Sequence, residues 1–157
     1  MDQLGRGYIS DVIAAIDYAI SVKTTYNVRV INLSVASGVY DSYWTDPLTL
    51  AAKRAVDAGI VVVASAGNHG QNELGQKQSG GITSPGNAPW VLTVGASSEE
   101  ASAARSNDTI AKFSSQGPTW IDFSAKPDLV APGVGIESLS DAHSTLSDSL
   151  PSMLLSG

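Results

Sequence analysis

The residues of this chain best suited to chemistry lie at two strand exits. Asn68 stands in the run Ala64-Ser65-Ala66-Gly67-Asn68-His69-Gly70. Small residues there let a substrate backbone come close. A side-chain amide donor at a strand end can stabilise the oxyanion of acyl transfer. The same Gly-Asn pair is ordinary turn chemistry, and on residue types alone the turn reading takes precedence. A second exit, Asn32-Leu33-Ser34-Val35-Ala36-Ser37-Gly38, has the same small-residue character. The chain holds two histidines, His69 and His143. His69 is a lone imidazole beside a turn and reads first as a surface loop residue. His143 lies among Ser140, Asp141, Ser144 and Ser147, the residue types of Ser-His-Asp catalysis. Triads are defined by geometry, however, and residues two to four apart rarely converge. No serine stands in a G-x-S-x-G elbow. The chain has no cysteine, so thiol nucleophiles and Cys-based zinc sites are excluded. The carboxylates are scattered, with no EF-hand spacing, and no metal site is expected from them.

Several elements must hold these residues in place. Ser10-Asp11 reads as a helix start, with Val12, Ile13, Ile16 and Ile20 forming one apolar stripe and an end near Val22. Val28 to Leu33 is rich in β-branched residues and predicts a strand. Beyond the loop Gly38 to Thr45, Asp46-Pro47 is a second helix start, with the aspartate as cap and proline in the first turn. Leu48, Ala51, Ala52, Ala55 and Val56 form its buried face, and Gly59 occupies the left-handed cap position. The apolar run Ile60 to Ala66 predicts a strand buried on both faces of a parallel sheet. These three elements make a βαβ unit. Further strands are expected at Trp90–Val94, Ile110–Phe113 and Leu129–Ala131, with a polar surface loop from Glu99 to Asp108. The fold class is α/β, and in such sheets ligands bind beyond the carboxyl ends of the strands.

At 157 residues, the chain fits one domain or a piece of one. Hydrophobic residues are 43% and charged residues 15%, enough apolar material for a core and too little charge for a disordered chain. The net charge of −6 argues against nucleic-acid and anionic-membrane partners, which need a basic face. No apolar run is long enough to span a bilayer. Met1 to Gly7 has no apolar central region, so it is no signal peptide.

Six motifs then occur in a familiar order. Val30-Ile31-Asn32-Leu33-Ser34 comes first, followed by Val61-Val62-Val63-Ala64-Ser65-Ala66-Gly67-Asn68-His69-Gly70 and Ser84-Pro85-Gly86. Val94-Gly95-Ala96, Phe113-Ser114-Ser115-Gln116-Gly117-Pro118 and Lys126-Pro127-Asp128-Leu129-Val130-Ala131-Pro132-Gly133 complete the set. From Gly5 to Gly157 the chain resembles the subtilisin-like serine peptidases, or subtilases. The resemblance implies a three-layer, mostly parallel sheet flanked by helices, and peptide-bond hydrolysis through an acyl-enzyme. It makes Asn68 the oxyanion-hole donor. It makes Ser34, Val35 and Ala36 one wall of the primary specificity pocket, with Ala66 and Gly67 opposite. It makes Gly5, Arg6 and Gly7 an edge segment that pairs with an extended polypeptide substrate by strand addition. Ala36 stands where relatives more often carry glycine, which narrows the groove. Secretion to the extracellular space is also implied. No cofactor is required, while calcium held by loop carbonyls stays open.

The departures carry as much weight. The family's Gly-Thr-Ser-Met-Ala nucleophile motif would begin at Gly157, and its Asp-Thr/Ser-Gly and His-Gly-Thr-His motifs match nothing in the chain. The expectation is a central fragment of a catalytic domain, lacking the Asp/His-bearing and Ser-bearing parts and inactive in proteolysis. Two other readings stay open: an esterase-like site rebuilt on His143 or His69, and a non-enzymatic module that binds extended peptides. A sheet cut through its middle exposes unpaired edges, so self-association or a complementing fragment is expected.

Overall fold

The computed structural model of the protein describes residues 6–99, 105–139 and 152–155. Helix α1 spans Ile9–Ser21 and is followed by a single turn, α2, at Lys23–Tyr26. Strand β1 (Val30–Leu33), helix α3 (Pro47–Asp57) and strand β2 (Val61–Ser65) form the βαβ unit. Then come β3 (Leu92–Ser98), a 3-10 turn at Arg105–Asn107, β4 (Thr109–Ile110), β5 (Leu129–Pro132), β6 (Ile136–Leu139) and β7 (Ser152–Leu155).

Four strands run parallel in the order β1-β2-β3-β5, and β4 adds antiparallel to the far end of β3. The register pairs Val30 with Val61, Val63 with Leu92 and Val94 with Leu129. Strands β6 and β7 form a separate antiparallel pair.

Helix α3 forms as its sequence dictates. The Asp46 carboxylate accepts from Leu48 N at 2.7 Å and Thr49 N at 3.3 Å, satisfying two orphan amides above Pro47. At the other end Gly59 takes φ +77°, and Lys23 Nζ donates to Ala58 O. A cation there complements the negative end of the helix dipole. Ala51, Ala52 and Ala55 are fully buried, so the backbones of α1 and α3 can approach closely over the sheet. The core joins them to Ile16, Leu33, Leu48, Ile60, Val62 and Ala64.

Several expectations are corrected here. Helix α1 starts at Ile9 rather than after Ser10, because Tyr8 O already accepts from Asp11 N and Val12 N and places Ser10 inside the first turn. The β1 strand begins at Val30, two residues later than expected, and the third strand is shifted onward to Leu92–Ser98. Pairing of β4 stops at Ile110, where the chain turns back so that Ser114 N donates to Ala111 O. The β6–β7 pair has no counterpart in the sequence reading.

The largest correction concerns β2, which is buried on one face only. Val62 and Ala64 are about 1% exposed under the helices, whereas Val61 on the opposite face is 52% exposed. Strand pairing aligns Val61 with Val30, and Val63 with Leu92, so an apolar face opposite α1 and α3 lies open among the described residues. A run of β-branched residues signals strand, but only the placement of the helices decides how many faces they cover.

Candidate active site

The chain leaves β2 through a turn fixed from three directions. Ala66 N donates to Val94 O at 2.8 Å on the neighbouring strand. Thr83 then reaches in, its N donating to Ala66 O at 3.1 Å and its Oγ1 to the same oxygen at 3.3 Å. Finally, the segment Phe113–Ser115 closes on the turn. Ser115 N donates to Gly67 O at 2.9 Å, Ser115 Oγ accepts from His69 N at 3.0 Å, and Gly70 N donates to Phe113 O at 2.8 Å.

Two glycines make this closure possible. Gly67 takes φ +99°, and a Cβ there would lie 2.8 Å from Thr83 Cγ2 and 3.0 Å from Ser115 Oγ. At Gly70, a Cβ would come within 2.3 Å of Ser114 O. Asn68 sits between them, exposed, and its amide makes no hydrogen bond to any of the described residues. Around it the Ala66 and Gly67 carbonyls and the His69 and Gly70 amides are all engaged, while its own side-chain donor is left available.

Asn68 borders a cleft of about 390 Å³ at the carboxyl ends of the parallel strands. Asn32 and Ser34 line it from β1 and its exit, Val63, Gly67 and Asn68 from β2 and its turn, Gly95 and Ala96 from β3, and Pro132 from β5. Among the described residues, no charged side chain borders this cleft. An amide donor bordering such a space meets little competing charge, which suits it to a developing negative oxygen. Asn32 Nδ2 donates to Ser34 Oγ at 3.1 Å, orienting that wall. Beyond it, Ser37 and Ser84 exchange backbone hydrogen bonds at 3.0 and 3.1 Å and tie the β1 exit to the segment after Gly81.

A second cleft, of about 450 Å³, adjoins through Ser34. It brings Arg6 and Gly7 against Val35, Ala36 and Ser37, with Tyr8, Val12 and Leu48 completing it. The sequence-derived set therefore assembles as follows. Ser34, Gly67 and Asn68 share one cleft, while Arg6, Gly7, Val35 and Ala36 share the next. Arg6 and Gly7 belong to no strand. Ala66 is about 1% exposed and lies beneath the cleft rather than on its surface. His69 is exposed, and its ring makes no hydrogen bond or ion pair to a serine or carboxylate among the described residues. Gly5 and His143 fall outside the described residues.

Two supports were not assigned roles from sequence, although their motifs stood out. Ser115 belongs to the Phe113-Ser114-Ser115 run and anchors the Asn68 turn. Lys126, with its side chain about 3% exposed, donates from Nζ to Val91 O and to Asp128 Oδ2, both at 2.7 Å. The same carboxylate oxygen accepts from Thr93 N at 2.7 Å. Partial burial pushes the Asp128 carboxyl up, but the Lys126 ammonium and the Thr93 amide outweigh it and hold the group below the usual carboxylate range. This lock joins the starts of β3 and β5, which form the far side of the cleft.

With the cleft and its free amide described, comparison with known proteins gives the chain its place. Residues 1–154 match the family model described as the subtilase family, peptidase S8. The chain belongs to the subtilase family. It is 36% identical over 153 residues to the serine protease AprX of Bacillus subtilis (strain 168), covering 92% of this chain and 32% of AprX. It is 34% identical over 140 residues to subtilisin amylosacchariticus of Bacillus subtilis subsp. amylosacchariticus, covering 88% of this chain and 29% of that protein. Among solved structures, the S41 psychrophilic protease superposes with a TM-score of 0.72 at 27% identity, over 98% of this chain and 45% of that one. Sphericase does so with a TM-score of 0.71 at 25% identity, again over 98% and 45%. The fold is thus a subtilisin-like α/β fold, and the chain spans about a third of those relatives and under half of those structures.

Proposed function

We propose that this subtilase chain is the central part of a serine endopeptidase catalytic domain that hydrolyses peptide bonds through an acyl-enzyme. In this reading it contributes the oxyanion donor, Asn68, and the walls that receive an extended polypeptide. The nucleophilic serine, its histidine base and the aspartate that orients it come from polypeptide outside residues 1–157, so the chain alone does not cleave peptides. The observation that carries the reading is the unbonded Asn68 amide at the carboxyl end of β2, in a turn pinned by Thr83 and Ser115 beside a cleft that no charged side chain among the described residues lines. Secretion accompanies the reading through the family resemblance alone.

The tetrahedral intermediate of acyl transfer places a negative oxygen where the substrate carbonyl stood. A donor held before the reaction spends nothing on reorientation as that charge forms. The clefts on either side of Ser34 would receive substrate on the two sides of the reacting carbonyl, with main-chain hydrogen bonds supplying affinity and the pockets supplying side-chain preference. The open apolar face of the sheet, bearing Val30, Val61, Leu92 and Leu129, would be covered by the remainder of such a domain. In the isolated chain it would be covered by a second copy.

Titration of the isotope-labelled chain with an unreactive extended peptide tests the site. Resonances of Ser34–Ala36 and Gly67–Asn68 are expected to shift first, with no turnover of peptide anilides. A shift map centred away from both clefts would overturn the assignment. Labelling of any serine by a fluorophosphonate would instead favour a rebuilt esterase site.

A further inference from the structure

We propose that Ser115 is a positioning residue for Asn68, acting through the turn and not through the substrate. The inference rests on the reading of Asn68 as the oxyanion donor.

Ser115 is fully buried and uses both its polar ends on the same four-residue turn. Its backbone N donates to Gly67 O and its Oγ accepts from His69 N, so it grips the residues immediately before and after Asn68. One rigid group thereby fixes the peptide planes on both sides of the donor. Without the hydroxyl, the His69 amide loses its acceptor and the C-terminal half of the turn is free to swing. The adjoining Ser114 makes a fair comparison. It is equally buried and one residue away, yet its Oγ accepts from Ala96 N of β3 at 2.9 Å and so braces the sheet instead of the turn. Two neighbouring buried serines thus have separable duties. The Gly67 backbone strengthens the case: at φ +99° a Cβ there would lie 3.0 Å from Ser115 Oγ, so glycine is what lets Ser115 close on the turn.

The test is solution NMR of the intact chain and of four single variants: Ser115→Ala, Ser115→Thr, Ser115→Val and Ser114→Ala. In Ser115→Ala the His69 amide should exchange roughly ten- to a hundredfold faster, the range set by leaving one part-buried donor unsatisfied, beyond any change at Val62 and Ala64. The backbone order parameter of Asn68 should fall from the rigid value of about 0.85 toward the flexible range below about 0.6. Ser115→Thr and Ser115→Val have the same shape and differ only in the hydroxyl, so Thr should keep Asn68 ordered and Val should not. That pair decides the matter if the alanine variant does not fold. Ser114→Ala should lower global stability while leaving Asn68 ordered. An unchanged Asn68 order parameter in both the alanine and valine variants, or an equal fall in Ser114→Ala, would overturn the proposal. No turnover is required, so a failed peptide titration with a loosened Asn68 would count against the functional reading alone.

Discussion

Removing the ammonium of Lys126 while keeping its stem, as in Lys126→Met, should cost about 3 kcal/mol at neutral pH. The Lys126 side chain is about 3% exposed and bonds Val91 O and Asp128 Oδ2 at 2.7 Å each. A charged hydrogen bond to a buried carbonyl contributes about 1.5–3 kcal/mol, and its loss leaves that carbonyl only the long 3.4 Å contact from Thr93 Oγ1. The bond to Asp128 is discounted to about 1 kcal/mol or less, because that side chain is 36% exposed and solvent screens the pair. Methionine preserves the apolar packing of the stem, so little is added for a cavity. For a chain of this size the total corresponds to a fall of about 6–12 °C in Tm. The pH dependence carries a definite sign. The folded-state pKa of Asp128 is depressed, so its pairing stabilises the protein above the unfolded carboxyl value of about 4 and is lost as pH falls through the lower folded value. The gap between the unmodified protein and Lys126→Met should therefore be full at pH 6–7 and narrow toward pH 3, leaving the share of the Val91 bond. Urea unfolding followed by tryptophan fluorescence across that range measures both quantities. A gap under about 1 kcal/mol at pH 7, or one that stays constant down to pH 3, would refute the reasoning.

Three further outcomes are expected. Gly67→Ala forces a Cβ to 2.8 Å from Thr83 Cγ2 at φ +99° and should cost about 2–4 kcal/mol, read as a lower urea midpoint at constant m. Asp46→Ala removes the cap on Leu48 N and Thr49 N and should cost about 1 kcal/mol, or some 2–4 °C in Tm by differential scanning calorimetry. The isolated chain should self-associate through the open sheet face. Light scattering should show a mass that rises with concentration, and Val61→Lys should weaken the effect because Val61 is 52% exposed on that face. A concentration-independent monomer would sink that last expectation.

Sequence by itself determined the local parts of this protein. Asp46-Pro47 and Gly59 mark both ends of α3, and the alanine spacing between them marks its buried face, because caps and helical periodicity depend on neighbours within a few residues. The β-branched runs locate β1 and β2, and the ordered motifs point to Asn68 and its family. Tertiary structure decided the rest. It placed α1 and α3 on one side of the sheet, so that Val62 is buried and Val61 is not, a distinction that two adjacent valines cannot announce. It also paired β6 with β7, which the sequence reading did not anticipate. Above all, it brought Thr83 and Ser115 onto the turn after β2, from 17 and 46 residues away along the chain. A turn sequence specifies a bend, but the direction in which Asn68 presents its amide is set by hydrogen bonds from distant segments, and those exist only once the sheet has formed.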